Sequence, residues 1–251
     1  MRWKHLLPAL AFILFWQILS MLGVIPAYKL PAPLNVLYGL KELQLQGMPP
    51  GHTLPQHILY SLYRVLLGYS LAAAAAIPLG IAMGWLTGLR QIVNPVLELI
   101  RPIPPLAWIP ISILWFGIGL KSAAFIIFLG SFFPILLNTN YGVRSIDPVL
   151  LEAARTLNAR DRDIVFKVLV PGSVPSIFTG LRIGMGIGWM TLVAAEFTGV
   201  KQGYGLGYMI MTARDIQRAD LILAGMLVIG VVGFIIDWGL RSLETRIVKW
   251  Q

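Results

Sequence analysis

With 57% hydrophobic and only 12% charged residues in 251, the chain carries about half the charge of a soluble domain, where roughly 25% is usual, and its mean hydropathy of +0.76 points to a membrane protein. Lysine and arginine number 20 against 11 acidic residues, for a net charge of +9; no basic stripe with interleaved aromatics accompanies them, so the excess reads as loops facing an anionic leaflet and not as a nucleic-acid surface. Zero cysteines exclude disulfides, thiolate metal sites and a cysteine nucleophile.

A spanning helix needs about 20 mostly apolar residues. Residues 6–25 are the first such run. Arg2 and Lys4 flank it as they would a signal peptide, but its length and the missing A-x-A site favour an uncleaved span. Residues 26–55 hold Pro26, Pro31, Pro33, Pro49, Pro50 and Pro55, too much proline for a continuous helix. They are expected to form an external loop with a short amphipathic helix over 34–45. The second span is placed at 62–86. Gly68, Ala72, Ala76, Gly80, Gly84 and Gly88 recur every fourth residue there and give one face of small side chains for close helix packing.

Residues 87–93 read as a short turn carrying Arg90. Between 94 and 118 five prolines interrupt the hydrophobic run, which divides into a segment bearing Glu98 and Arg101 and a third span over 105–118. Backbone groups freed by proline at membrane depth must be satisfied by protein or water, so the break belongs inside a bundle or beside a cavity. A tight turn at 117–122 leads to the fourth span, 123–143. Residues 144–176 are polar. The fifth span, 177–200, has Gly180, Gly184 and Gly188 on one face. Residues 201–220 form a loop or surface helix, 221–240 the sixth span, and 241–251 a basic tail with Trp250.

Six spans put both termini on one side. That side holds Arg2, Lys4, Arg90, Arg144, Arg155, Arg160, Arg162, Lys167, Arg182, Arg241, Arg246 and Lys249; the other holds Lys29, Lys41, Lys121, Lys201, Arg214 and Arg218. Twofold enrichment places the termini, and with them residues 144–176, in the cytoplasm. Within that segment Asp147-Pro148 is a good helix start, Leu150, Leu151, Ala153, Ala154 and Leu157 give an apolar face, and Asn158 suits a left-handed cap. Asp161 caps a second helix that Pro171 ends. Helices this short are unstable alone; they lie on their own bundle or on a second subunit.

Glu152-Ala153-Ala154, the turn at Asn158, and Val168-Leu169-Val170-Pro171 resemble the coupling loop of binding-protein-dependent ABC permeases, with Asn158 where that motif normally has glycine. Arg101-Pro102-Ile103-Pro104-Pro105-Leu106-Ala107-Trp108-Ile109-Pro110, Leu114-Trp115-Phe116-Gly117-Ile118-Gly119 and Leu192-Val193-Ala194-Ala195-Glu196 look like the nitrate, sulfonate and taurine branch, taurine permeases most of all. The resemblance covers the chain from about residue 62 onward. It implies an all-α fold of six transmembrane helices with a coupling-helix loop, the type I importer architecture, over one permease domain, 1–251. It also implies residence in the bacterial cytoplasmic (inner) membrane, a second permease copy as homodimer, two ATPase subunits that bind ATP and Mg, and a periplasmic or lipid-anchored solute-binding protein. Leu151, Glu152, Ala153, Ala154, Leu157, Asn158 and Pro171 would then couple the pore to the ATPase.

Candidates for contact with a small anionic solute are fewer. Glu196 lies in the fifth hydrophobic run, where an ionised group costs about 3 kcal/mol on insertion scales; a site near the outer end, hydrated or paired with Lys201 or Arg214, is the plainer reading. Asn138, Thr139 and Asn140 read mainly as helix contacts, with Asn138 retained as a pore candidate beside Trp108, Ser131, Trp189 and Thr191. Aromatic belts account for many membrane tryptophans, and headgroup snorkelling accounts for Arg101 and Arg182. No G-x-x-x-x-G-K-[ST] string is present; Gly119-Leu120-Lys121-Ser122 lacks the first glycine. His5, His52 and His57 have no metal-ligand spacing. The chain is expected to hold no cofactor, metal or catalytic residue of its own. The competing class is an ion-gradient-driven transporter, which calls for midplane ionisable residues and internal repeats.

Overall fold

The computed structural model describes residues 3–23, 26, 28–48, 51–197 and 204–248. Helices account for the regular structure and no strand occurs among these residues: α1 (Trp3–Met21), α2 (Pro33–Leu45), α3 (Leu54–Trp85), α4 (Thr87–Ile100), a 3-10 turn (Pro105–Trp108), α5 (Ile109–Phe116), α6 (Leu120–Arg144), α7 (Pro148–Thr156), α8 (Asp161–Ile164), a π turn (Val165–Leu169), α9 (Val170–Phe197), α10 (Leu206–Asp215) and α11 (Ala219–Ile247). Four helices are long and apolar enough to cross a membrane: Leu54–Trp85, Leu120–Arg144, Asp161–Phe197 and Ala219–Ile247. The pair Thr87–Ile100 and Pro105–Phe116, bent by 81°, makes a fifth if counted as one broken span, and Leu10–Met21 is a shorter apolar helix. The expected six spans are thus four to five by length, plus α1.

Several expected boundaries move. The second span starts at Leu54, not 62, because the prolines end at Pro55, in the first turn, where proline loses no helical bond. Residues 87–93 are not a turn: after a one-residue break at extended Leu86, they open α4, which passes through Pro95. Pro171 does not end a helix. The π turn lies just before it, with the Val170 N–H bonded to the Val165 carbonyl. That wider turn relieves the clash of the Pro171 ring with the carbonyl four residues back, and the helix continues into α9. The basic tail is helical as far as Ile247. Pro49, Pro50, Lys201 and Trp250 lie outside the described residues.

The chain forms two compact units, Met1–Leu62 with Glu196–Val232 and Tyr63–Ala195 with Gly233–Gln251. In the first, α2 turns Val36, Gly39 and Leu43 inward. Gly39 lies against the Asp220 backbone, and Arg218 bridges Glu42 at 2.6 Å and Asp220 at 2.8 Å.

The second unit is organised on α6, half of whose spanning window is buried, against 28–33% in the other spans. A methyl group on Gly68, Gly80 or Gly84 of α3 would come within 2.6–2.7 Å of Ala124, Thr139 and Val143. On another side, methyls on Gly180, Gly184 and Gly188 of α9 would come within 2.6–2.9 Å of Asn138, Ile135 and Ser131. Both expected glycine faces therefore grip one helix, and only missing side chains permit the approach. Gly88, the last member of the first series, meets nothing within 4 Å. Gly117 (φ 72°) and Gly119 (φ 145°) make the turn into α6 with backbone angles that suit glycine. They bring Trp115 and Phe116 onto Phe125, with centroids 6.0 and 5.4 Å away.

Gly80→Ala is expected to destabilise the detergent-solubilised protein by about 1–3 kcal/mol through overpacking, whereas Gly88→Ala should be neutral or stabilise by up to about 1 kcal/mol. Thermal unfolding of the two variants side by side checks the assignment of the packed face.

Candidate functional site

The segment between α6 and α9 is built by local rules. The Asp147 carboxylate accepts from the Val149 N–H at 2.9 Å and caps α7, with Pro148 in the first turn. Asn158 is left-handed at φ 60°, and the Ala159 N–H returns to the Ala154 carbonyl, so asparagine does the work expected of the turn residue. One face of α7 is fixed: Leu151 and Ala154 pack on a buried cluster of Val143, Ile164 and Leu169. The opposite face is bare. Val149, Leu150 and Leu157 are exposed, Leu157 to 83%, as are Glu152, Ala153 and Asn158. Phe166, 63% exposed on the π turn, carries the Arg162 guanidinium 5.9 Å from its ring centre. Of the seven candidate coupling residues, Leu151, Ala154 and Pro171 are partly covered and the other four face outward.

The pore candidates separate. Trp108 and Asn138 line a cavity of about 360 Å³ together with Arg101, Ile103, Pro105, Leu129, Gly130, Phe133, Pro134, Leu137, Ile183 and Ile187. The irregular stretch between α4 and the 3-10 turn forms part of its wall, as expected for a break beside a cavity. Asn138 donates to the Pro134 carbonyl of its own helix at 2.8 Å. Ser131 and Thr191 are buried at helix crossings: Ser131 donates to the Gly184 carbonyl, and Thr191 donates to Gly188 and packs on Gly130. They serve helix packing and do not line this cavity. Trp189 is buried against Gly233 and borders a smaller cavity. Thr139 is buried against Gly80 by van der Waals contact. Arg182 does not snorkel. It lies 3.5 Å from Asp237 and 3.3 Å from Glu244 of α11, an ion pair half shielded from solvent.

Arg214, one of the partners expected for Glu196, bonds Asp215. Glu196 is fully buried. Its carboxylate accepts from the Gly207 N–H at 2.8 Å and from Ser61 Oγ at 2.9 and 3.0 Å, while Ser61 accepts from the Leu206 N–H. The carboxylate thus occupies the N-terminus of α10, where free N–H groups and the helix dipole favour negative charge. Gly205, at φ 138°, is held to glycine twice over, since a methyl there would lie 2.5 Å from the Glu196 carboxylate. The His57 ring completes the cluster between the Met48 carbonyl at 2.5 Å and the Gly205 backbone at 2.9–3.0 Å. Ser61 and His57 lie ahead of residue 62, where the apolar run alone puts the start of the second span, and so escape the sequence reading. Their i, i+4 spacing on a helix starting at Leu54 was the available signal.

Glu196→Ala should destabilise the protein by about 1–3 kcal/mol for each buried donor left unsatisfied, and more than Glu196→Gln, which keeps an acceptor. Thermal unfolding in detergent tests the order; equal effects would show that the carboxylate is not what holds α10.

Residues 76–249 match the family described as binding-protein-dependent transport system inner membrane component. A protein of Methanocaldococcus jannaschii named as an ABC transporter permease is 45% identical over 250 residues, covering 99% of this chain and 91% of that one. The taurine transport system permease protein TauC of Escherichia coli is 40% identical over 239 residues, covering 94% and 85%. Among solved structures, a chain of the MetNI methionine ABC transporter, in inward-facing conformations, has the same fold, with a TM-score of 0.68 at 20% identity over 78% of this chain and 96% of that one. With a family match over most of its length and relatives covering nearly all of it, the chain belongs to the inner membrane components of binding-protein-dependent transport systems and is the transmembrane permease subunit of an ABC importer.

Proposed function

We propose that two copies of this chain form the pore of an importer for a small anion of the taurine, sulfonate or nitrate kind, and that each copy seats one of two ATPase subunits on α7. Both termini and residues 144–176 face the cytoplasm, and residues 26–55 face the incoming solute-binding protein. ATP and Mg are bound by the ATPase, and this chain has no part in the hydrolytic chemistry. Closure of the two ATPases draws the two α7 helices together and switches access to the pore. The distribution of lysine and arginine supports the orientation, and the taurine relative supports the anion.

The observation that carries the docking assignment is the two-sidedness of α7. Leu151 and Ala154 anchor it, while Leu150 and Leu157 present apolar surface that an isolated loop helix has no reason to expose. Glu152, Ala153 and Asn158 share the outward surface, and Pro171 sets the π turn that displays Phe166.

Leu157→Asp is expected to abolish co-purification of the ATPase, at a cost of about 2 kcal/mol or more for a central contact, while membrane insertion is retained. Ala154→Asp is a poorer probe because Ala154 packs on the chain's own core. Affinity purification from native membranes with quantification of the co-purifying ATPase decides the matter: full ATPase recovery with Leu157→Asp would overturn the docking assignment.

A further inference from the structure

We infer that the cavity beside the broken span is a solute site for an organic anion with a short hydrocarbon body, an alkanesulfonate-like molecule, and that it discriminates against inorganic anions such as nitrate. This rests on the reading of the chain as the pore of an anion importer and adds where the anion sits and what selects it. The cavity, about 360 Å³, falls in the range of small-molecule sites, roughly 300–1,000 Å³. Its one cation is Arg101, at the 81° break between α4 and the following turn. Broken helices at membrane depth are where transporter sites are built, because the irregular backbone is tolerated only beside a cavity. No acidic side chain is within ion-pair distance of Arg101 among the described residues; the nearby Glu98 accepts from Asn94. Its planar fork is suited to the oxygens of a sulfonate.

The remaining walls select the body. Phe133, Leu137 and Ile187 are apolar, and Trp108 offers a ring face with a single N–H donor. Asn138 has one amide hydrogen committed to Pro134, which leaves its carbonyl oxygen as acceptor for a substituent such as an ammonium. A trigonal inorganic anion can use Arg101 and the N–H donors of Trp108 and Asn138 but leaves the apolar walls unfilled, whereas each methylene of an alkyl chain finds apolar surface.

The test is equilibrium binding of radiolabelled butane-1-sulfonate to the permease purified with its ATPase. Saturable binding is expected, weakened at least tenfold by Arg101→Gln and within a few-fold of normal for Arg101→Lys. Phe133→Ala should weaken butanesulfonate but leave methanesulfonate unchanged. Nitrate should compete at least tenfold less well. Arg90→Gln, on the same helix outside the cavity, should bind as wild type. Absence of saturable binding, equal competition by nitrate, or unchanged binding in Arg101→Gln overturns the inference. A phospholipid phosphate would satisfy the same guanidinium, so binding is compared in phosphatidylglycerol and phosphatidylcholine nanodiscs. Displacement by the anionic lipid assigns the site to a headgroup and overturns the solute reading. Uptake of the same probe with the binding protein present separates the two levels: failure of uptake in the wild type sinks the anion importer itself, whereas uptake that survives Arg101→Gln at the wild-type rate sinks only this site.

Discussion

Close approach of backbones at α6 is the constraint from which the larger of the two units follows. Lipid tails are as apolar as leucine, so no hydrophobic force drives helices together in a bilayer, and the work falls to van der Waals contact between surfaces that can come near. Gly68, Gly80 and Gly84 from α3 and Gly180, Gly184 and Gly188 from α9 supply those surfaces on two sides of one helix. Ser131 adds a hydrogen bond to the Gly184 carbonyl at the same crossing. With α6 fixed in this way, Gly130, Phe133, Leu137 and Asn138 have a defined place on the wall of the cavity, and Val143 at its far end carries the cluster on which α7 rests. One packed helix therefore links the cavity wall with the seat of α7.

The other unit solves a different problem. A carboxylate excluded from water is tolerated only when its charge is matched. The Gly207 N–H at the start of α10 and the Ser61 hydroxyl both donate to Glu196 and contribute to that matching. The arrangement ties the end of the fifth span to the short helix that follows. A buried acid thus forms part of the framework.

Particular residues mark how much was legible beforehand. Asp147, Pro148 and Asn158 act within a few residues of themselves, through a cap, a permitted φ and a left-handed turn, so their roles were readable in the string. The four-residue spacing of small side chains was readable for the same reason, because a helix converts it to a face. Pro95 and Pro171 were misread as breaks, since whether a helix survives a proline depends on what its freed carbonyls meet and on room for a π turn. Trp108 and Asn138 reached a cavity, whereas Ser131 and Thr191 went to helix crossings, and nothing in their local context distinguishes the two outcomes.

The sequence by itself determined that this is a helical membrane chain, where its apolar runs lie, which faces are small, and which polar segment carries the short capped helix α7, because each of these depends on composition or on period along a single segment. Tertiary structure decided the partners: that α6 is the helix both glycine faces grip, that Arg182 pairs with Asp237 and Glu244, that Glu196 caps α10 through Ser61 and Gly207, and that Arg101 stands beside Trp108 and Asn138 at a cavity. Those pairings join residues up to 135 positions apart, and no local pattern records which distant segment a helix will meet.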